Sequence, residues 1–256
     1  MVMKYSKYFI RWNAFVLAIA LVVVLCASFQ SQKTRKALND RVKSLRTIHL
    51  GIINASDLED EFISSDIFDE NGDRILSWRA KIVPFLFAPS PYPDIGKPWN
   101  HPDNLKTFGV YSQCNGPMQI YCFEKKPFVN LADETTNVFA ITGKDTAFDE
   151  ANRKKWRSFP PDLLVLIELG NSKTFWAASC DSNDVFYSFK NNDPSRFNDY
   201  LGTDGKGFLV VFYDGEIWYL KKSTPLEAIE CFTTVSSATK CDRETVFQNY
   251  VIARFK

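Results

Sequence analysis

From Ala14 to Phe29 the chain reads AFVLAIALVVVLCASF, without one charged side chain. A run of this kind narrows the choices for a polypeptide more than any other feature, because so much apolar surface needs a non-aqueous neighbour. With Trp12 and Asn13 it amounts to about 18 residues, which at a rise of roughly 1.5 Å each reach about 27 Å, close to a hydrocarbon core of about 30 Å. The expectation is a single-pass transmembrane helix over residues 12–29. It would act as an uncleaved signal-anchor with the lipid bilayer as partner, preceded by a short cytoplasmic N-terminus at 1–11. Tyr5, Tyr8 and Trp12 lie where an aromatic belt would sit. The alternative is a cleaved secretory signal, for which Lys4, Lys7 and Arg11 supply a positive n-region. Cleavage after Ala27 would put Leu25 where a small residue is wanted, and the same Leu25 disqualifies Cys26 as a lipoprotein cysteine.

The net charge of +1 hides an uneven distribution. Residues 1–48 carry nine Lys/Arg against one acid, Asp40, so the other 208 residues hold 22 bases and 29 acids. An acidic body disfavours nucleic acid as a partner, and basic residues flanking the apolar run suit anionic lipid headgroups better. Six bases (Lys33, Arg35, Lys36, Arg41, Lys43 and Arg46) follow the run and three precede it. That count alone would keep the body in the cytoplasm, although long domains cross largely regardless of charge. Composition excludes disorder and collagen, and 256 residues with 45% hydrophobic content can bury one sizeable core.

Beyond the run, apolar residues recur at Leu38, Val42, Leu45, Ile48 or His49, and Ile52, spacings of three and four. They predict an amphipathic stalk helix over 30–52, continuous with the apolar one because neither Pro nor Gly interrupts residues 13–50. The remaining 53–256 reads as strands and loops. Strands are expected at Val138–Thr142, Leu163–Leu169 and Phe208–Tyr213, and a hairpin around Asp214-Gly215. A long helix followed by an antiparallel sheet is the α+β class. Asn71-Gly72 reads as a turn.

No catalytic, cofactor-binding or metal-ligating residue is assigned. His49 and His101 are the only histidines, and no Gly-x-Ser-x-Gly elbow accompanies them. His49 belongs to the apolar stripe, and His101 to a Pro-rich turn. Asp69, Asn71 and Asp73 alternate as calcium-loop oxygens do, but Arg74 occupies the sixth position and Ala80 the twelfth, so a solvated turn is expected. An enzyme would need converging acids such as Asp145, Asp149 and Glu150, which fit a polar loop better. Trp78, Trp99, Trp156 and Trp176 could serve as stacking platforms for carbohydrate or equally as core. Among the cysteines, Cys114–Cys122 and Cys231–Cys241 would each close a short loop as disulfides, against the alternative that all, Cys180 included, are reduced thiols.

Several blocks together resemble one bacterial family. Asp69–Leu86 resembles an SWR…PYL block, Lys97–Asn104 an EPWDSPHN block, and Thr142–Phe148 a TGPGTAF block. Leu166-Ile-Glu168 with Trp176 is similar to a VVE…W strand region, and Phe212–Ile217 to a FADGSV hairpin. The family is the pilin-like domain of unknown function found in many copies in planctomycete bacteria. The resemblance spans residues 38–220 and implies a pseudopilin-like helix-plus-sheet domain without established catalysis, facing outward. Members carry a Gly-Phe-Thr-Leu-Ile-Glu processing site where this chain has Arg11-Trp-Asn-Ala-Phe15, so neither the cleavage glycine nor the assembly glutamate is present. The resulting expectation is a membrane-anchored, pilin-like structural or interaction protein of the bacterial envelope. It would be single-pass in the inner membrane, with its C-terminal domain outside and other envelope or pilin-like proteins as partners. A ligand-binding ectodomain for carbohydrate is the second reading.

Overall fold

The computed structural model describes residues 2–86, 91–113, 121, 135–170, 176–177 and 200–256, with side chains given from residue 20 on except those of 109–113. Helix α1 runs Val2–Glu59, as the absence of Pro leads one to expect, and passes through Gly51. It ends where Asp60 adopts the left-handed conformation (φ 55°), in the acidic stretch that begins at Asp57. The chain divides into two units, Met1–Arg41 and Val42–Lys256.

The expected anchor over 12–29 is corrected. Among the described residues, no helix is long and apolar enough to cross a membrane. Downstream of Phe29 the helix continues without a break into Gln30, Gln32 and Lys33, side chains that a hydrocarbon core does not accept. The inner-membrane localisation, its topology and the signal-anchor reading fall with the anchor.

In the second unit the α+β expectation holds. Strands β3 (Val138–Ala140), β4 (Leu164–Glu168), β5 (Gly207–Phe212), β6 (Ile217–Lys221) and β7 (Val251–Phe255) form one antiparallel sheet in chain order. The three predicted strands and the Asp214-Gly215 hairpin are all present. Val211 pairs with Ile217, Gly215 takes φ +88°, and its amide donates to the Phe212 carbonyl at 3.0 Å. A small separate hairpin, β1 (Asp66–Phe68) with β2 (Arg74–Ser77), was not anticipated; Asn71-Gly72 turns it.

Every residue of β4 and β5 is buried, so both faces of the central sheet are covered. On one face Phe208, Val210, Phe212, Trp218 and Leu220 join Ile229, Phe232 and Phe247 in a single apolar cluster. The last three come from the short helices that follow β6: α5 (Leu226–Glu230, with Ile229), the Phe232 turn, and α7 (Arg243–Phe247), with α6 (Val235–Ala238) between them. Further helices, α2 (Trp78–Leu86), α3 (Pro102–Gln113) and α4 (Glu150–Arg153), precede β3 or lie between β3 and β4. On α1 the stripe Val42, Leu45, Ile48 and Ile52 is buried as its spacing predicts, each side chain contributing roughly 1.5–3 kcal/mol. This part of the helix meets the sheet at the β5–β6 turn, where the His49 ring bonds the Tyr213 carbonyl, and Arg46 donates to the Lys256 carbonyl.

Candidate functional site

Among the described residues, a dense polar constellation lies where α1, the β5–β6 turn and α7 converge. The Arg243 guanidinium bonds Asp214 through both terminal nitrogens (2.6 and 3.2 Å) and Asp162 through Nε (3.1 Å). It approaches Glu216 at 3.3 Å. The same guanidinium lies 4.7 Å from the Phe212 ring and 5.3 Å from Trp218, so a charge bracketed by three carboxylates also rests on aromatic faces. Trp218 donates its indole N–H to Glu216 (3.0 Å) and carries Arg254 over its other contact, 4.5 Å away. Burial and the opposing pull of Asp214, Asp162 and Glu216 act on Arg243 together, and its pKa rises. Burial outweighs Arg243 at Asp162 and moves that carboxyl up.

His49 sits beside this cluster. One ring nitrogen, Nε2, is 3.1 Å from the Tyr213 carbonyl oxygen and must be the donor there. A Cβ at Gly215 would come within 3.2 Å of the ring, so the turn is built close against it. Burial lowers the His49 pKa despite the Tyr213 bond and the nearby Asp214. The folded state therefore keeps His49 neutral below pH 6.5, where the unfolded chain takes up a proton. Stability is present above that pH and is lost as pH falls toward the folded-state value. Urea melts at pH 7.5 and 5.5 should show a loss of about 1 kcal/mol that His49→Leu largely abolishes; an equal loss in the variant would show other groups to be responsible.

The acids weighed as an enzymatic cluster hold a loop together. Asp145, in a left-handed conformation (φ 62°), accepts from the Ser236 amide (3.0 Å) and the Asn152 side chain (3.2 Å). Burial opposes its ionisation, but those bonds and Thr234 outweigh it and hold the pKa down. Asp149 caps α4 through the Ala151 amide, and Glu150 pairs with Arg153. Asp69 likewise accepts from the amides of Asn71 and Asp73, both at 2.9 Å, and the Asp73 bond chiefly depresses its pKa. That is the solvated turn expected of the sequence. No group of three or more candidate metal ligands occurs among the described residues.

Trp78, Trp156 and Trp176 are buried, with Trp176 stacked on Tyr121 at 5.5 Å, and only Trp99 is partly exposed. A carbohydrate platform of several tryptophans is therefore absent among the described residues. His101 organises its turn by accepting from the Asp103 amide at 3.2 Å.

Three residues were not singled out from sequence. Asn104, fully buried, donates to the carbonyls of Asp94, Lys97 and Pro98 and accepts from the Asp94 amide. Arg79 is buried against Trp78 and Phe139 and donates to the Val138 carbonyl. Glu168, wholly buried in β4, accepts from the Leu209 amide (2.9 Å) and the Thr203 hydroxyl (2.7 Å). Each lies in one of the blocks named above, Arg79 in Asp69–Leu86, Asn104 at the end of Lys97–Asn104 and Glu168 at the end of Leu166–Glu168, and that membership was the available signal. Cys231 and Cys241 are free thiols, Cys26 is exposed, and Cys114, Cys122 and Cys180 lie outside the described residues. Comparison with protein-family models, with curated proteins and with solved structures finds no match.

Proposed function

We propose that this chain is a pilin-like structural protein that works by association, its N-terminal helical segment packing against the apolar helices of like chains, its own copies included. One observation carries the reading. In the first unit, Leu21, Val22, Val23, Val24, Leu25 and Phe29 of α1 are each 57–70% exposed. Five of them are consecutive, so the apolar surface goes around the helix rather than along one stripe. Such a surface marks an interaction site, because water-exposed apolar patches of this size are otherwise avoided. The ordered blocks from Asp69 to Ile217 support the pilin-like part, and a helix leading into an antiparallel sheet agrees with them. The role proposed is assembly, with no reaction assigned to the acids or histidines described above.

Cys26 lies inside the apolar segment and is exposed, which makes it a native probe. A bismaleimide added to cells should yield a covalent dimer that Cys26→Ser abolishes. A full-length chain that sediments as a monomer, with no Cys26-dependent adduct, would remove the proposal.

A further inference from the structure

One face of α1 changes character along its length. Val22, Leu25 and Phe29 recur at spacings of three and four and are 57%, 59% and 70% exposed. The same spacing continues into Lys33 and Lys36, with Arg35 beside them. Lys33 lies about 6 Å beyond Phe29 along the axis, and Lys36 about 4.5 Å further on. All three cations are exposed, and none forms an ion pair among the described residues; Asp40, one turn past Lys36, does not pair with it. The charge follows the division of the chain. Residues 1–41 hold seven bases and one acid, whereas 42–256 hold 24 bases and 29 acids.

The second unit carries the opposite combination at the tip of the β1–β2 hairpin. Phe68 is 51% exposed, and Glu70 and Asp73 follow it, exposed and without a cation partner among the described residues. Asp69 gives its carboxylate to the amides of Asn71 and Asp73 and so fixes the turn. Arg74, opposite Phe68, is the one base in residues 66–77. Two residues of chain reach at most about 7 Å, so Glu70 stands from Phe68 much as Lys33 stands from Phe29.

We infer, resting on the reading that copies associate through α1, that the face from Val22 to Lys36 receives the β1–β2 hairpin tip of a second copy. Apolar surface meets apolar surface, and base meets acid. Because apolar residues surround the helix, this face takes the tip while the others pack on neighbouring helices. The two partners use different surfaces, so each contact leaves a free helix face and a free tip, and further copies add in the same way. Burial of Phe29 and Phe68 supplies the attraction, and the charges select the register and speed the encounter. Salt screens such exposed pairs, a signature that apolar helix packing alone lacks.

The test is sedimentation velocity on the full-length chain. Raising NaCl from 0.05 to 0.5 M shortens the screening length about threefold and should weaken association about tenfold. The triple variant Lys33→Glu, Arg35→Glu, Lys36→Glu and the double variant Glu70→Lys, Asp73→Lys should each weaken it by a similar factor at the lower salt. Asp69 is left in place because it holds the turn. An equimolar mixture of the two variants should regain association, since each supplies the charge that the other now needs. Carbodiimide added to mixed light and heavy-nitrogen native chains should join Lys33 or Lys36 of one copy to Glu70 or Asp73 of another. That cross-link decides the matter even if a variant folds poorly. Cys26-dependent association that is indifferent to salt and to both variants, with no such cross-link, would overturn the docking and leave helix packing standing. A chain that stays monomeric throughout removes both.

Discussion

Replacing Trp218 by alanine is expected to destabilise the second unit by about 3–5 kcal/mol, read as a fall in the urea midpoint with an unchanged slope. The indole is fully buried in β6, with ring centroids 5.4 Å from Phe212 and 6.1 Å from Phe247. Its removal leaves a cavity between sheet and α7 and deletes the surface on which Arg243 and Arg254 rest. Glu216 also loses the indole N–H, though it keeps the approach of Arg243. Against a typical total stability of about 5–15 kcal/mol, the loss is a large fraction. Trp218→Phe should recover more than half of it, since the edge contacts survive while the N–H does not. A loss below about 1 kcal/mol for the alanine variant would mean that the cluster repacks freely, contrary to its interlocked geometry.

Gly202→Ala is the second large effect. Gly202 has φ +68°, a conformation that costs an L side chain about 1–2 kcal/mol. A Cβ there would lie 1.8 Å from the Gly207 carbonyl oxygen and 3.1 Å from the Phe208 Cα. Neither neighbour is the end of a flexible side chain: both belong to the first residues of β5, which pair with Lys221 and Leu220 of β6. Either the start of β5 or the Gly202 segment must therefore move, and moving the latter strains the Gly202 amide bond to the Glu168 carbonyl. The combined cost is about 2–5 kcal/mol, and thermal melts of the variant should show it as a lowered midpoint. An unchanged midpoint would show that the Gly202–Gly207 approach is not required for the fold.

What could be seen in the sequence was whatever repeats locally. The stripe from Val42 to Ile52 was legible because helical spacing alone put its members on one face, and the hairpin because Asp214-Gly215 dictates its turn. Strand β7 was not: it alternates half-buried and exposed residues over five positions, includes Arg254, and follows α7 without a Gly or Pro break. The buried polar residues were hidden for a different reason. Arg79 and Glu168 are satisfied by groups 59 and 41 residues away along the chain, which no short window contains. Tryptophans posed the same difficulty, since a core indole and a surface platform are spelled identically. The apolar run was read as a membrane anchor, whereas no helix among the described residues is long and apolar enough to cross a membrane.

The strict chain-order pairing of the sheet has an entropic corollary. The shortest of its closures is the β5–β6 hairpin, with five residues between Val211 and Ile217. The bond from His49 to Tyr213 instead closes 164 residues. Since closure entropy grows with the logarithm of loop length, bringing α1 to the turn costs about 3 kcal/mol more than forming the hairpin itself. A single polar contact worth about 1 kcal/mol cannot meet that difference. The continuous apolar stripe from Val42 to Ile52 can, which explains why the helix presents four fully buried aliphatic side chains to so distant a part of its own chain.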